Sequence, residues 1–107
     1  MNIEDMKFTK SEVIERLIIE WGKALCVSVK NTNTTTDLEA IRLIATEFSV
    51  LVETYSNAID GFNESLGVSL GEAIEFKLQS IKSQDGSNEW QHYLADDQAT
   101  LEELSKR

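Results

Sequence analysis

Hydrophobic residues between positions 38 and 62 follow one another at alternating spacings of three and four residues. The series is Leu38, Ile41, Ala45, Phe48, Val52, Tyr55, Ile59 and Phe62. A period of about 3.5 residues that is sustained over this length is typical of an α-helix, and a strand cannot produce it. The pattern therefore predicts one long helix from Asp37 to about Asp60, where Asp60 and Gly61 supply a stop signal.

Additional apolar positions widen the hydrophobic face of this helix. In heptad notation with Leu38 at position a, the g positions hold Ile44, Leu51 and Ala58. Three adjacent apolar stripes exceed the two-stripe seam of a two-stranded coiled coil, and they suit the central helix of a bundle. We therefore expect the long helix to lie against the other helices of a globular core.

Three further helices are predicted around the long one. The first covers about residues 10 to 28, and its expected core face consists of Ile14, Leu17, Ile18, Trp21, Ala24 and Leu25. Capping boxes mark the starts of the second and third helices, at Thr36 with Glu39 and at Ser69 with Glu72, and Ser87 is the expected cap of the fourth. The chain is thus predicted to be all-α, a compact four-helix bundle.

The organisation expected from this pattern is simple. Residues 1–107 form a single helical domain, with a short N-terminal tail at 1–8 and a mobile loop of asparagine and threonine at 30–36. Cys26 is the only cysteine, so no intramolecular disulfide can form. Acids stand near the N-terminus where a signal peptide has bases, and long apolar runs are absent. These features predict a cytoplasmic protein without a membrane anchor.

The net charge of −9 is concentrated in the middle of the chain. Residues 31–76 hold eight acids against Arg42 as the single base. Direct binding to nucleic acid or to an anionic membrane is not expected, because both require a basic patch that neutralises phosphates. A basic protein partner is the kind of molecule that this charge distribution favours.

Two apolar residues of the long helix do not belong to its core face. Leu43 and Val50 lie at f positions, flanked by Glu39 and Glu53 on one side and by Glu47 on the other. Another helix of the bundle covers them, or they are scattered exposed apolar residues of the kind that is normal on proteins, or they form a contact surface for a second copy or for a partner with a basic rim. The carboxylates also raise the possibility of nucleic-acid mimicry, although that usually needs a denser acidic array.

Residues that could carry chemistry are few. His92 is the only histidine, and Cys26 has an apolar context that raises the pKa of a thiol, so a buried structural cysteine is expected. Ile19 and Cys26, seven residues apart beside the expected core face of the first helix, repeat the pattern of Leu43 and Val50 on a smaller scale. We predict no catalytic residue, no metal site and no cofactor.

One segment resembles an enzyme family. Residues 66–74, Leu-Gly-Val-Ser-Leu-Gly-Glu-Ala-Ile, are similar to the segment after the second metal-binding pair in nucleoside triphosphate pyrophosphohydrolases of the MazG type. These all-helical enzymes bind magnesium through an ExxE pair and a later ExxD pair. Here Val50 follows Glu47 where the second glutamate belongs, and Gly67 follows Glu64 where the aspartate belongs. The resemblance implies a degenerate magnesium site made by Glu47, Glu53, Asp60 and Glu64.

The sequence as a whole favours a non-enzymatic interaction protein. We predict a module that acts stoichiometrically, as an inhibitor, an immunity-type protein or an adaptor does, with Leu43, Val50, Glu39, Glu47 and Glu53 as the residues that bind a basic partner. A degenerate pyrophosphohydrolase is one alternative. The other is a structural homo-oligomer, such as a homodimer, in which the apolar seam or the strip of f positions is self-complementary.

Overall fold

The computed structural model describes residues 10–56 and 66–106, apart from the side chain of Ser11. These residues form four α-helices: α1 (Lys10–Asn31), α2 (Thr35–Tyr55), α3 (Leu66–Ser83) and α4 (Glu89–Ser105). Each helix packs against the next one in the chain, and α1 also packs against α4. The architecture is the predicted all-α four-helix bundle. The expected N-terminal tail at 1–8 lies outside the described residues.

The apolar seam of α2 lies in the core of the bundle. Its buried members are Leu38, Ala45, Phe48 and Val52, while Ile41 and Tyr55 are partly buried against them. The ring of Phe48 meets that of Trp21 edge to face, with 6.1 Å between centroids. The g stripe is less buried than predicted, because Ile44 is 41% exposed and Leu51 only partly buried. Ala58, Ile59 and Phe62 lie outside the described residues.

The limits of α2 differ from the prediction. The helix begins at Thr35 and ends at Tyr55, not at about Asp60, and residues 57–60 lie outside the described part. Thr34, and not Thr36, is the N-cap, since its hydroxyl oxygen accepts a hydrogen bond from the Asp37 amide at 3.3 Å. A run of threonines contains several residues that can cap a helix equally well. Capping by Thr34 starts the helix two residues earlier than predicted.

The connection between α1 and α2 is shorter than the predicted loop at 30–36. It consists of residues 32–34, because α1 continues through Lys30 to Asn31. The Thr32 amide donates a 3.0 Å hydrogen bond to the Ser28 carbonyl, which continues the helical pattern for one more residue. The predicted end of α1 at about residue 28 was therefore too early, and the mobility of the connection stays a prediction.

The buried face of α1 is rotated from the predicted one. Ile18 and Leu25 are buried as expected, but Leu17 is 57% exposed, and Ala24 also faces solvent. Ile19 and Cys26, expected beside the core face, are buried instead. Gly22 lies on the same buried side of α1, and it is packed so closely that an added Cβ would come within 2.8 Å of Leu101 and 3.0 Å of Phe48. The closest packing of α1 is thus centred on a residue that hydropathy does not mark.

Two predicted caps are wrong for α3 and α4. Helix α3 begins at Leu66, so Ser69 lies inside it and caps nothing. Its first turn is fixed by packing, because a Cβ on Gly67 would lie 2.8 Å from the Ser49 Cα. At α4 the N-cap position is Asn88, with no side-chain capping bond, and the carbonyl of Ser87 accepts a hydrogen bond from the indole N–H of Trp90 at 3.1 Å.

Candidate functional site

Leu43 and Val50 both face solvent on the outer side of α2. Leu43 is 71% exposed and Val50 57% exposed, and no helix of the described chain covers them. Glu39, Glu47 and Glu53 are also exposed. Coverage by another described helix is therefore excluded, which leaves ordinary exposed apolar residues or a contact surface. We refer to these five residues as the α2 strip: two apolar side chains one heptad apart, with three carboxylates beside them.

The charge of the α2 strip is not balanced within its own helix. Arg42 is the single base of α2, and its Nε lies 2.6 Å from Oε1 of Glu75 on α3. That ion pair is largely exposed, so it contributes about 0–1 kcal/mol to stability. The ion pair nevertheless holds the only guanidinium of α2 against α3. No other base of α2 is then present to neutralise Glu39, Glu47 and Glu53. The surface is thus apolar at its centre and acidic beside it.

A shallow groove runs along the α3 side of the α2 strip. Its volume is about 630 Å³, and its lining includes the small residues Ala45, Ser49, Gly67 and Gly71. Val50 belongs to both the strip and the groove, and Val68, which is 60% exposed, stands on the α3 side. We call this feature the α2–α3 groove. Sequence reasoning missed it, because hydropathy along one helix carries no information about the space between two helices.

A second depression lies between α1 and α4. It has a volume of about 450 Å³ and is lined by the apolar residues Val13, Leu17, Ile19 and Leu104 with Glu12, Glu15 and Arg16. Arg16 also forms an exposed ion pair with Glu20 on the same helix, at 3.8 Å. Charges of both signs line this depression, whereas the three charged residues of the α2 strip itself are all acidic. Leu17 is as exposed as Val50 and supplies a matched control position.

Lys77 is buried on α3 and ties that helix to the end of α1. Its Nζ donates hydrogen bonds to the carbonyl oxygens of Val29 and, at 3.0 Å, of Lys30. It also lies 4.5 Å from the ring centroid of Trp90. Burial lowers the pKa of Lys77. The ammonium satisfies carbonyls that the last turn of a helix leaves open, so its role is structural.

Asp97 on α4 and Cys26 on α1 are both buried, and the charge of Asp97 acts on the Cys26 thiol. Asp97 is 4% exposed, and its Oδ2 has no hydrogen-bond partner within the described part of the chain. Burial, with a smaller effect of Asp96, raises the pKa of Asp97 to about 7. Burial, with a smaller effect of Asp97, raises the pKa of Cys26 to about 12. Both groups therefore favour their neutral forms.

Cys26 is expected to be unreactive in the folded protein. Because thiolate is the reactive form and burial suppresses it, we expect labelling by Ellman's reagent at about pH 8 to be at least about tenfold slower in buffer than in guanidinium chloride. The measurement is the absorbance of the released thiolate against time. Equal rates under both conditions would show that Cys26 is accessible and would contradict its position in the core.

The residues considered for metal binding are not brought together in the described part of the chain. Residues 10–56 and 66–106 contain no group of three or more His, Cys, Asp or Glu side chains placed to hold a metal ion. His92 is exposed on α4, while Asp60 and Glu64 lie outside the described residues. Among the described helices, none combines the length and the apolar character needed to cross a membrane.

Comparison with protein-family models, with curated proteins and with solved structures finds no match to this chain. The physical properties of its surfaces are therefore the basis for a functional proposal. Three of them are specific to one side of the bundle: the exposed apolar pair on α2, the carboxylates beside that pair, and the adjoining groove.

Proposed function

We propose that this protein is a small acidic interaction module that acts stoichiometrically, as an inhibitor, an immunity-type protein or an adaptor, by binding a basic protein through the α2 strip. The observation that supports this most strongly is the exposure of Leu43 and Val50 on one face of α2. Burying such a side chain against a partner contributes about 1.5–3 kcal/mol, or less where it is already half covered. Glu39, Glu47 and Glu53 then lie where the rim of an interface is found.

The combination matters more than the apolar residues alone. Single exposed hydrophobic side chains are common on soluble proteins and need no special explanation. Here two of them share a helix face with three carboxylates, which is the composition of a contact region with a dry centre and a charged rim. The carboxylates select a partner with lysine or arginine around an apolar patch, because opposite charges favour the correct encounter and like charges oppose a wrong one.

The same charges bear on self-association. If two copies met through the α2 strip, Glu39, Glu47 and Glu53 of each copy would be brought together, and like charges at close range are unfavourable. A heterologous basic partner is therefore favoured over a homodimer at this surface. We place the interaction in the cytoplasm, because the only cysteine is a buried free thiol and no disulfide contributes to the fold.

Aspartate substitutions at the centre of the strip test the proposal. We expect Leu43→Asp or Val50→Asp to weaken partner binding at least about 100-fold, because a carboxylate is costly to desolvate in a contact that excludes water. Both side chains are exposed, so the helical circular dichroism spectrum and the melting temperature are expected to change little. The measurement is co-purification with the partner from the native host, and retained binding by correctly folded variants would contradict the proposal.

A further inference from the structure

We infer that the α2–α3 groove receives a helical segment of the partner, apolar along one side and flanked by lysine or arginine. This inference rests on the proposed function and extends it by naming the shape and chemistry of the occupant. The groove adjoins the α2 strip through Val50, so one partner can contact both. Three observations support the inference: the position of Gly71, the form of the groove, and the charges around it.

Gly71 has no role that the folded chain explains. It lies inside α3, and a Cβ added to it would meet nothing within 4 Å. Gly67, one turn earlier, is different, because its Cβ would come within 2.8 Å of the Ser49 backbone. Glycine inside a helix is less stable than alanine, and the only glycine with positive φ in the described residues is Gly86. Close approach of a partner's backbone to the groove would explain why glycine, and not a larger residue, occupies position 71.

The form of the groove suits a helix. On α2 its lining runs from Arg42 to Val50, a rise of about 12 Å or roughly two helical turns. Its lining includes the small residues Ala45, Ser49, Gly67 and Gly71, together with the exposed Val50 and Val68. The groove lies between two helices whose backbone groups are already paired internally. An extended peptide would find no strand to pair with here, whereas a helix satisfies its own backbone.

The charges around the groove specify the flanks of the occupant. Glu72 lines the groove on α3, where it accepts a hydrogen bond from the Tyr93 hydroxyl of α4, and Glu39 and Glu53 belong to the adjoining α2 strip. Arg42 also lines the groove, but Glu75 holds its guanidinium. A helix with lysine or arginine on both sides of its apolar stripe would therefore meet opposite charges, while an acidic helix would be repelled.

A synthetic peptide provides the direct test. The probe is a fluorescent peptide of about 18 residues, long enough for five helical turns, with an alanine and leucine stripe between two rows of lysine. Its control carries glutamate in place of every lysine. By fluorescence anisotropy, we expect the protein to bind the lysine peptide at least about tenfold more tightly than the glutamate peptide. Failure to bind the lysine peptide, or equal binding of both, would overturn the inference.

Substitutions on α3 separate the groove from the α2 strip. Gly71→Leu fills the open space, and Val68→Asp places a charge on the rim, so each is expected to weaken lysine-peptide binding at least about tenfold without loss of helical circular dichroism. Gly71→Ala is expected to raise the melting temperature while it weakens binding. A rise in melting temperature with unchanged binding would show that the groove is not the binding site and would overturn the inference.

The natural partner distinguishes failure of this inference from failure of the proposed function. If Leu43→Asp abolishes co-purification and Gly71→Leu does not, the α2 strip binds the partner and the groove inference is wrong. If both variants retain the partner, both proposals are wrong. Both proposals together predict that the partner is lost with each of the two substitutions, in proteins that keep their helical spectrum.

Discussion

Phe48→Ala is expected to lower the free energy of unfolding by about 3–5 kcal/mol, the largest effect of any single substitution considered for this protein. Phe48 is fully buried on α2 and contacts the ring of Trp21 on α1. Its Cζ also lies 3.0 Å from the position that a Cβ on Gly22 would take. Truncation therefore removes both buried apolar surface and the side chain that fills the closest approach of α1 to the core.

Urea denaturation followed by circular dichroism measures this effect. Leu43→Ala is the matched control, because it truncates a large apolar residue of the same helix that is 71% exposed. The control is expected to change the free energy of unfolding by no more than about 0.5 kcal/mol. Comparable losses for the two variants would contradict the assignment of one residue to the core and the other to the surface.

Asp97→Asn is expected to raise the free energy of unfolding by about 1–3 kcal/mol at about pH 8. Above pH 7 the native protein holds a buried carboxylate whose Oδ2 lacks a hydrogen-bond partner among the described residues. Asparagine keeps the size of the side chain and cannot ionise. The gain comes from removing the cost of a buried charge, which no described cation offsets. Burial and the charge of Asp96 both raise the pKa of the Asp97 carboxyl, and the ionisable group that faces it on α1 is the Cys26 thiol.

The dependence on pH identifies the cause of the gain. Folding raises the pKa of Asp97 from its usual value of 3.8 to about 7, so between these values the native state binds more protons than the unfolded state. The contribution of Asp97 to stability therefore falls as pH rises from about 4 to about 7 and is constant above that range. Asp97→Asn is expected to raise the free energy of unfolding most at about pH 8 and least near pH 4. A gain that is independent of pH, or matched by Asp96→Asn at an exposed position, would contradict this explanation.

Much of the fold can be predicted from local periodicity. The seam of α2 is clear because one helix with a wide apolar face must lie in the core, and its buried residues from Leu38 to Val52 follow the predicted spacing. The face of α1 could not be predicted in the same way. Its buried side includes Gly22, which packs closely against Leu101, a residue far away in the sequence, and Ile19 and Cys26 are buried on that same side.

The candidate site was only partly visible in the sequence. The spacing of Leu43 and Val50 marks them as apolar residues outside the seam, but only the packing of the four helices shows that they are exposed. Gly67 and Gly71 look alike in the sequence, yet one is in close contact with α2 and the other borders open space. That difference depends on the distance between two helices, which no pattern within one helix encodes.

Two buried ionisable residues carried a signal that could have been read. Asp97 continues the apolar series of Trp90, Leu94, Leu101 and Leu104 along α4, and Lys77 lies next to Leu78 in the apolar face of α3. A charged residue at a position that belongs to the buried face of a helix predicts a specific partner, a shifted pKa or both. Lys77 has its partners in the carbonyl oxygens at the end of α1, whereas the carboxyl of Asp97 has a raised pKa.

Partner binding through α2, and not through another face of the bundle, can be tested directly. Its most direct test is parallel co-purification from the native host with Val50→Asp and Leu17→Asp, because both replace a side chain that is 57% exposed with the same charge. Quantitative mass spectrometry of the bound fraction reports the result. We expect Val50→Asp to lose the partner and Leu17→Asp to retain it at the level of the unsubstituted protein. Retention by Val50→Asp, or loss with Leu17→Asp alone, would contradict binding through α2.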